Sequence, residues 1–505
     1  MRYNSRTMPE ATPPVSTPPR ALVELLGRVR AFADSQRVPC ALVGGLLRDQ
    51  LLGRPLDGAN VDLAVPRGAL AFARALAAHL GGAYVPLDES SGTARVVVTA
   101  SGGPRAQLDI NEYRAPTLDE DLALRDFTIN ALAVALGDWL ARPDSPGPVV
   151  DPLEGRAALA ARALLPCFPG AFRADPLRVL RGARFIAQLG FALAPSARMG
   201  MREAVPRLAA VSGERIRDEL LAILETDQAS LGIALLDDLG ALDVLLPELV
   251  RGRGVDQGDF HHLDVLGHQL EAVRQGDRIL AGFAEFSEPL RDVLGAYCAV
   301  EPVESRTRKC LIKLGALLHD IGKPDNRQVH DDGEIWFIGH EHGGAELLEG
   351  ICRRLCLSNR ESEMLIGMVR HHLRPGFLSR ELVLTRRALY RFYKDLGEHG
   401  PACLIMWWCD RMATRGRKSR VDQIDQQRAR LEEMLEPYFF KSEEIVAPPR
   451  LIDGHRLMRE FDLRPGPVIG ALLGLIEEAQ AEGRVATDVQ ALELARAHLA
   501  TLEQS

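Results

Sequence analysis

The segment Val43–Val65, VGGLLRDQLLGRPLDGANVDLAV, constrains the fold more than any other part of the chain. Its pattern predicts a strand, a Gly-Gly turn, a short helix carrying Arg48 and Asp49, and a second strand that begins Asn-Val-Asp. Gly44 and Gly45 have no Cβ, so backbone can approach an anion closely at the turn. The N–H groups at the start of the following helix would point toward the same anion. The segment therefore predicts a phosphate-binding turn.

The second predicted strand places Asn60 and Asp62 on one face, because side chains alternate along a strand. Another candidate acid, Asp109, lies in the strand-like segment QLDINEYR. Nucleotidyl transfer uses Mg²⁺ to bridge the phosphates and activate a hydroxyl, and Mg²⁺ prefers carboxylate oxygen ligands. An alternating Asp is equally typical of an ordinary exposed strand face, so the residues alone leave both interpretations open.

Periodicity along the chain predicts an α+β protein, with a small mixed-sheet head followed by all-helical domains. Strands and helices alternate from residue 38 to about 138, and nearly all later segments have a helical pattern. The length of 505 residues also suggests several domains. We expect five parts: a disordered tail at 1–20, the head at 21–150, a helical neck at 151–250, a helical metal-binding domain at 251–430 and a C-terminal helical domain at 431–505.

The composition, with 46% hydrophobic and 26% charged residues, is typical of a soluble globular protein. We find no apolar stretch long enough for a transmembrane helix and no signal-peptide core near the N-terminus. The eight cysteines show no paired CxxC spacing, which favours free thiols over a disulfide framework or a zinc ribbon. We therefore expect a cytoplasmic protein without a membrane partner.

The charge is unevenly distributed. The net charge of −8 argues weakly against nucleic-acid binding. Between Arg173 and Arg217, however, the chain has nine Arg, no Lys and three acids, a net of +6. This basic segment is interpreted either as a phosphate-binding surface or as a set of solvated helix faces.

Six motifs occur in an order that resembles the class II tRNA nucleotidyltransferase/poly(A) polymerase family of the DNA polymerase β superfamily. They are GGLLRDQLLGRP (44–55), NVDLAV (60–65), LDINEYR (108–114), EDLALRDFTINALAV (120–134), DPLEG (151–155) and ADPLRVLRGARFIAQLGF (174–191). The resemblance implies a DNA polymerase β-like head that adds nucleotides to RNA ends. It also implies tRNA, CTP and ATP as partners and Mg²⁺ as cofactor.

Carried over by position, the resemblance implies that Gly44, Gly45 and Arg48 hold the triphosphate. Asp62 would ligate the catalytic metal, and Asp109 would be a third, general-base-like carboxylate. The residues matching the sugar-recognition segment are Arg125, Asp126 and Asn130. Asp126 has an alternative interpretation as the N-cap of a helix over FTINALAV.

Asp175 and Arg178 match the pair that reads the Watson–Crick edge of the incoming nucleotide in such enzymes. Their spacing puts them on one helix face, and a donor-only Arg beside an acceptor-only carboxylate suits the edges of C or A. Arg181 continues the same stripe. The alternative is an ordinary intrahelical ion pair.

The chain departs from the family pattern at three places. Asn60 stands where the family has its first metal-binding Asp, which weakens one metal contact. The insertion Asp57-Gly58-Ala59 lengthens the preceding segment, and Asp57 is a candidate replacement for the missing carboxylate. Leu124 and Ala174 stand where Arg and Glu are common.

A second cluster of metal-binding residue types lies further along the chain, where nine of the 13 His fall between His261 and His372. Their order, H…HD…H…H…D on predicted helices, resembles the HD phosphohydrolase superfamily. Such ligands suit Mn²⁺, Fe²⁺, Ni²⁺ or Zn²⁺, and a two-metal site activates water against a phosphodiester. Lys323 is a candidate phosphate contact or a helix cap. The candidate ligands are His268, His319, Asp320, His340, His372 and Asp410.

Three functions follow from these patterns. The first is template-independent addition of CCA, or of part of it, to tRNA 3′ ends; the motifs leave CCA, A-only, CC-only and poly(A) addition open. The second is a head that only binds nucleotide or RNA beside a working HD phosphohydrolase. The third is a non-catalytic RNA-binding protein. Trp407 and Trp408 are predicted to pack in a core rather than stack on bases.

Overall fold

The structure, a computed structural model, describes residues 15–56, 60–99, 105–145, 147–303 and 306–502. Residues 1–14 of the predicted 1–20 tail and the Asp57–Ala59 insertion lie outside the described residues. The chain forms two compact units, Met1–Arg207 and Leu208–Ser505. The first contains a mixed sheet and the second is helical apart from one short hairpin, which confirms the predicted α+β class.

A six-stranded sheet forms the centre of the first unit, with strand order β3-β4-β5-β2-β1-β6. Neighbouring strands are antiparallel except β2 and β5, which run parallel. The strands predicted at NVDLAV and QLDINEYR form within two residues of those segments. The strands of this sheet are β1 Ala41–Val43, β2 Asn60–Val65, β3 Ala83–Asp88, β4 Thr93–Thr99, β5 Arg105–Glu112 and β6 Ala133–Ala135.

The register of the sheet brings distant parts of the sequence together. Asp62 on β2 is paired with Asp109 on β5, and Asp109 is paired with Arg95 on β4. Residues directly opposite each other project from the same face of a sheet. Two of the predicted head acids therefore lie side by side, although 47 positions separate them in the sequence.

Helices pack around this sheet and continue beyond it to the end of the first unit. Helical periodicity in ALAFARALAAHL and in Ala21–Ala33 is matched by helices over both segments, the second slightly longer than the periodic stretch. The helices are α1 Arg20–Ser35, α2 Gly45–Leu51, α3 Ala69–Leu80, α4 Leu118–Ala123, α5 Leu136–Ala141, α6 Gly155–Ala160, α7 Ala171–Ala174, α8 Arg178–Leu189 and α9 Pro195–Ala204, with a two-stranded sheet of β7 Ala163–Leu164 and β8 Ala192–Leu193.

The alternative interpretation of Asp126 as a helix N-cap is wrong. The segment FTINALAV forms a single 3₁₀ turn, Thr128–Asn130, and then strand β6. The apolar side chains from Phe127 to Val134 are fully buried, so the segment has no exposed helix face. Pairing of Ala133 with Val43 on β1 fixes the extended conformation instead.

The expectation that Asp175 and Arg178 share a helix face is also wrong. Asp175 has an extended backbone, with φ −142° and ψ 104°, and helix α8 begins only at Arg178. The physical reason is Pro176, because a residue that precedes proline is driven out of the helical region. The Asp175 carboxylate accepts a hydrogen bond from the backbone N–H of Leu177 at 3.2 Å.

The second unit is a helical assembly with a separate apolar core near the C-terminus. That core includes Leu457, Leu472 and Ile476. Trp407 and Trp408 are buried at 5% and 1% exposure, which confirms core packing. No helix in the described part of the chain is long and apolar enough to cross a membrane.

The described part of the second unit consists of helices and one short hairpin. They are α10 Gly213–Glu225, α11 Ala229–Asp238, α12 Ala241–Leu245, α13 Pro247–Val250, α14 Val265–Leu280, α15 Glu288–Ala299, α16 Arg308–Leu318, α17 His340–Arg354, α18 Asn359–His371, α19 Arg374–Leu378, α20 Arg386–Leu396, α21 Gly400–Ala413, α22 Ile424–Phe440, α23 Gly454–Phe461, α24 Pro467–Ala481 and α25 Asp488–Leu502, with a hairpin of β9 Gln328–Val329 and β10 Ile335–Trp336.

Candidate active site of the head and candidate metal centre

The glycine turn is shaped around Asp62. Gly44 has a positive φ of 74°, and a Cβ at this position would lie 2.9 Å from Asp62 Oδ2. Gly45 begins α2, and its backbone N–H donates to the Asp62 carboxylate. Glycine is therefore required at position 44 both for the backbone conformation and for the close approach of the acid.

Asp62 is in an environment that disfavours a bare negative charge. Burial and the neighbouring charge of Asp109 raise its pKa, against the opposing effects of Arg125 and Arg181. Two adjacent carboxylates whose charges repel form an arrangement that a divalent cation neutralises. Asn60 is exposed at the start of β2 and is paired with Gln107, so that row of the sheet carries no carboxylate.

A chain of polar contacts joins the turn to the predicted sugar-reading segment. Arg48, only 4% exposed, donates from Nη1 to Asn130 Oδ1 at 2.9 Å. Asn130 Nδ2 lies 3.5 Å from Asp126 Oδ1. On the other side, Arg181 Nε donates to Asp126 Oδ2 at 2.8 Å. Residues from α2, the 3₁₀ turn and α8 thus form one network.

The ion pair at the centre of this network keeps Asp126 charged. Burial opposes its ionisation, but the Arg181 guanidinium and the N–H of Phe127 lower its pKa to about 2. Phe185 lies against the same group of cations, with the guanidinium carbons of Arg48 and Arg181 at 5.4 Å and 5.8 Å from its ring centre. Sequence reasoning missed Phe185; its position one turn after Arg181 was the available signal.

Arg178 is anchored by backbone oxygens. Its Nη1 donates to the carbonyls of Arg125 and Ala171, and its Nη2 donates to that of Leu124. These bonds use three of the five N–H groups of a guanidinium. The ring of Phe168, another residue that the sequence did not reveal, lies 5.6 Å from its Cζ.

Arg125 is positioned by an acid that sequence reasoning also missed. Asp121, 2% exposed, accepts from Arg125 Nη2 at 3.1 Å and from Arg114 Nε at 3.1 Å. The buried Nε of Arg125 has no hydrogen-bond partner among the described residues. Such an unsatisfied donor is costly in a folded protein, and a bound anion would satisfy it.

In the second unit, the structure brings all six predicted HD ligands together. Their donor atoms form two groups, His268/His319/Asp320 and Asp320/His340/His372. Asp410 joins the first group, with its Oδ1 at 2.9 Å from His268 Nε2. The neighbouring His342 is 68% exposed and lies outside the cluster.

Asp320 connects the two groups with one oxygen for each. Oδ2 lies 3.1 Å from His319 Nε2, and Oδ1 lies 3.2 Å from His340 Nε2. Both side chains are buried, Asp320 at 2% exposure and His319 at 0%. A bridging carboxylate between two sets of imidazoles is the donor arrangement of a two-metal site.

Backbone carbonyls orient three of the imidazoles. The Nδ1 atoms of His319, His340 and His372 lie 2.9, 2.6 and 2.7 Å from carbonyl oxygens of their own preceding turns. A carbonyl only accepts, so each Nδ1 carries the proton and each Nε2 is left for a metal. The residues therefore fit a pair of divalent metal ions.

The first ligand group also requires a positive charge. Burial disfavours the charged form of His319, but the carboxylates of Asp320 and Asp410 raise its pKa to about 10. Two carboxylates beside one buried imidazole form a site that a bound cation would neutralise. Lys323 Nζ lies 2.6 Å from Asp320 Oδ2 and 2.7 Å from Gln257 Oε1, so it faces the ligand cluster rather than capping a helix.

Four family models match successive parts of the chain. They are the poly A polymerase head domain at 40–165, the probable RNA- and SrmB-binding site of polymerase A at 190–251, the HD domain at 280–412 and the tRNA nucleotidyltransferase domain 2 at 417–495. The HD match includes five of the six candidate ligands and begins after the sixth, His268, which the structure places beside Asp410.

A relative of similar length decides the family. An A-adding tRNA nucleotidyltransferase of Deinococcus radiodurans is 37% identical over 89% of this chain and 93% of its own length. The chain belongs to the tRNA nucleotidyltransferase family. A CC-adding tRNA nucleotidyltransferase of Thermus thermophilus is another member, 33% identical over 89% of this chain and 91% of its own length.

Solved structures of tRNA nucleotidyltransferases share the fold. The Thermotoga maritima CCA-adding enzyme complexed with tRNA aligns with a TM-score of 0.56 at 21% identity, covering 95% of each chain. A CCA-adding enzyme complexed with CTP aligns with a TM-score of 0.58 at 21% identity, covering 96% of this chain and 99% of the other. The nucleotidyltransferase head and the HD domain both imply dependence on divalent metal ions.

Proposed function

We propose that the head adds nucleotides to tRNA 3′ ends without a template, completing CCA or part of it from CTP and ATP. The observation that carries the proposal is the pairing of Asp62 with Asp109 beside the glycine turn. Family membership and the relatives named above support tRNA as the substrate. A cytoplasmic location is consistent with that substrate.

Mg²⁺ is the proposed head metal, held by Asp62 and Asp109 with a weaker neutral oxygen from Asn60. When bound, it would neutralise the phosphates and activate the attacking hydroxyl. The chain's own residues supply the rest. Gly44 and Gly45 leave room for the triphosphate, and the nearby Arg48 is held in place by Asn130.

We assign nucleotide selection to Arg178 and Asp175, which belong to the predicted neck. Arg178 keeps two N–H groups beyond its three backbone bonds, enough for two acceptors on a base edge. Asp175 supplies the acceptor. The roles of Arg125, Asp126 and Asn130 at the sugar follow from the same network, with Arg181 holding Asp126.

The decisive assay uses a tRNA transcript lacking CCA, Mg²⁺ and each labelled nucleotide separately. Incorporation of CTP only, ATP only or both distinguishes CC, A and CCA addition, and a long homopolymer indicates poly(A) addition. Absence of all incorporation would contradict an active head.

A second activity, metal-dependent phosphohydrolysis by the HD domain, is proposed from the six-ligand cluster. The substrates would be phosphate esters at nucleotide ends, such as a 2′,3′-cyclic phosphate, a 2′-nucleotide or a 3′-phosphate. The ions proposed are Mn²⁺, Ni²⁺ or Fe²⁺. Loss of hydrolysis in a His319→Ala/Asp320→Ala double variant, with unchanged tRNA extension, would separate the two activities.

The five-part division also remains a proposal. The family-model matches support a head, a neck, an HD domain and a C-terminal domain in that order. Limited proteolysis with mass spectrometry would test boundaries near residues 150, 250 and 430.

A further inference from the structure

Three charged side chains form a row across adjacent strands of the head sheet. Arg95 on β4 is paired with Asp109 on β5, and Asp109 is paired with Asp62 on β2. Directly opposite side chains on a sheet have Cβ atoms about 4.5–5.5 Å apart. Asp109 therefore lies between a cation on one side and a second acid on the other.

The contact between Arg95 and Asp109 is bidentate. Nε donates to Oδ1 at 2.7 Å and Nη2 donates to Oδ2 at 2.9 Å. Two parallel bonds fix the plane of a carboxylate as well as its position, which one bond cannot do. Each carboxylate oxygen has a further lone pair, so the clamp leaves Asp109 able to accept from another partner.

The position of Asp109 depends on this clamp more than on packing. Its side chain is 22% exposed and that of Arg95 is 32% exposed, so neither is enclosed by an apolar core. Asp62, in contrast, is held by the Gly45 N–H and by the tight approach of Gly44. Because Asn60 is neutral, Asp62 and Asp109 are the two carboxylates that the described part of the head pairs across β2 and β5.

We infer that Arg95 is a positioning residue that holds the Asp109 carboxylate in its working orientation beside Asp62. The inference rests on the proposed activity of the head. It extends the site to a third strand, β4, which carries none of the motifs that indicated the function.

The test compares Arg95→Met, which removes the clamp, with Arg95→Lys, which keeps the charge but not the two parallel bonds. Arg74→Met is the matched control, because Arg74 is an exposed head arginine that lies over Tyr84, 5.0 Å from its ring centre. We would measure kcat and the KM for CTP or ATP, whichever nucleotide the wild-type protein adds. Binding of Mn²⁺ without turnover would be followed by electron paramagnetic resonance in the His319→Ala/Asp320→Ala background, which removes the HD site.

Arg95→Met is expected to lower kcat by about 10- to 100-fold, the cost of a misplaced catalytic group. The KM for the nucleotide should stay within about threefold, because the clamp does not touch the triphosphate site. Affinity for Mn²⁺ should be unchanged or higher, since a nearby positive charge has been removed. Arg95→Lys should lie between wild type and Arg95→Met, and it still tests the inference if the Met variant unfolds.

An unchanged kcat in both Arg95 variants would overturn the inference. So would a fall in Mn²⁺ affinity by the same factor as kcat, because the loss would then be one of metal and not of orientation. A fall in kcat of the same size in Arg74→Met would also overturn it. Absence of incorporation by the wild-type protein would overturn the proposed head function, and the positioning role with it.

Discussion

The Nε2 atoms of His340 and His372 lie 3.2 Å apart, although each ring already donates its Nδ1–H to a backbone carbonyl. Burial holds the pKa of His372 below its ordinary value. When both rings carry their proton on Nδ1 alone, the two Nε2 lone pairs point at each other, which is unfavourable without a cation between them. Two nitrogens bound to one metal at right angles would be separated by about 3 Å.

This geometry predicts that His340→Ala removes a metal ion while the head stays active. The variant should lose about one bound metal per chain and lower HD phosphohydrolysis by at least about 100-fold, since ligand loss disables a two-metal site. His342→Ala is the control, because His342 lies on the same helix but is exposed. Metal content by mass spectrometry is the measurement. Equal metal content in both variants would contradict the assignment.

Asn60→Asp is expected to increase nucleotide incorporation by about 10²–10⁴-fold, because a full charge at a phosphoryl-transfer metal is worth several kcal/mol. The matched control is Gln107→Glu, which makes the same charge change at the position paired with Asn60 on β5. Initial rates with tRNA, Mg²⁺ and labelled CTP or ATP are the measurement. Equal increases in both variants would show a general effect of negative charge, and no increase would show that Asn60 does not limit the head.

Arg178→Lys should reduce nucleotide discrimination. Lysine keeps the charge but lacks the planar guanidinium that donates to the carbonyls of Leu124 and Arg125 at the same time. We expect the ratio of kcat/KM for the correct nucleotide to kcat/KM for UTP to fall by about 10- to 100-fold, the range for a lost hydrogen-bonding contact. Arg162→Lys is the control, because Arg162 also lies over a Phe ring but at the surface. Equal losses in both variants would argue against a role in selection.

Asp126→Asn should destabilise the head in a pH-dependent way. The folded pKa of Asp126, about 2, is below its unfolded value of about 3.9, so the ion pair contributes about 2 kcal/mol above pH ~5. That contribution declines as the pH falls through 4 toward 2. Denaturant-dependent hydrogen exchange of head peptides at pH 7, 4 and 3 is the measurement. Asp34→Asn, at an exposed helix pair, should change little; a difference for Asp126→Asn that does not shrink toward pH 3 would contradict the argument.

Much of the head was predictable because its elements carry local signals. Strand β2 and helix α3 follow from alternation and helical periodicity, and the Gly44 turn follows from two residues without a Cβ. The convergence of the candidate HD ligands was predictable because their residue types cluster in one part of the sequence. These signals are encoded within short windows, so one sequence suffices to read them.

Other features of the site have no local signal. The clamp of Arg95 on Asp109 depends on the register of β4 against β5, and the buried pair of Asp121 with Arg125 depends on the α4 turn meeting Arg114. The extended backbone at Asp175 is a partial exception, since Pro176 already disfavours a helix there. Motif spacing alone still gave the wrong geometry for that residue.

The sequence by itself determined which residue types are present: the glycine turn, two head acids with Asn60 in place of a third, and six candidate HD ligands. Only the tertiary structure decided which atoms face each other. It set Asp62 beside Asp109 and placed Arg95 on the other side of Asp109. It also directed four imidazoles toward the carboxylates of Asp320 and Asp410. The reason is physical, because strand register and helix packing fix distances between residues that the chain separates, and short-range patterns carry no information about them.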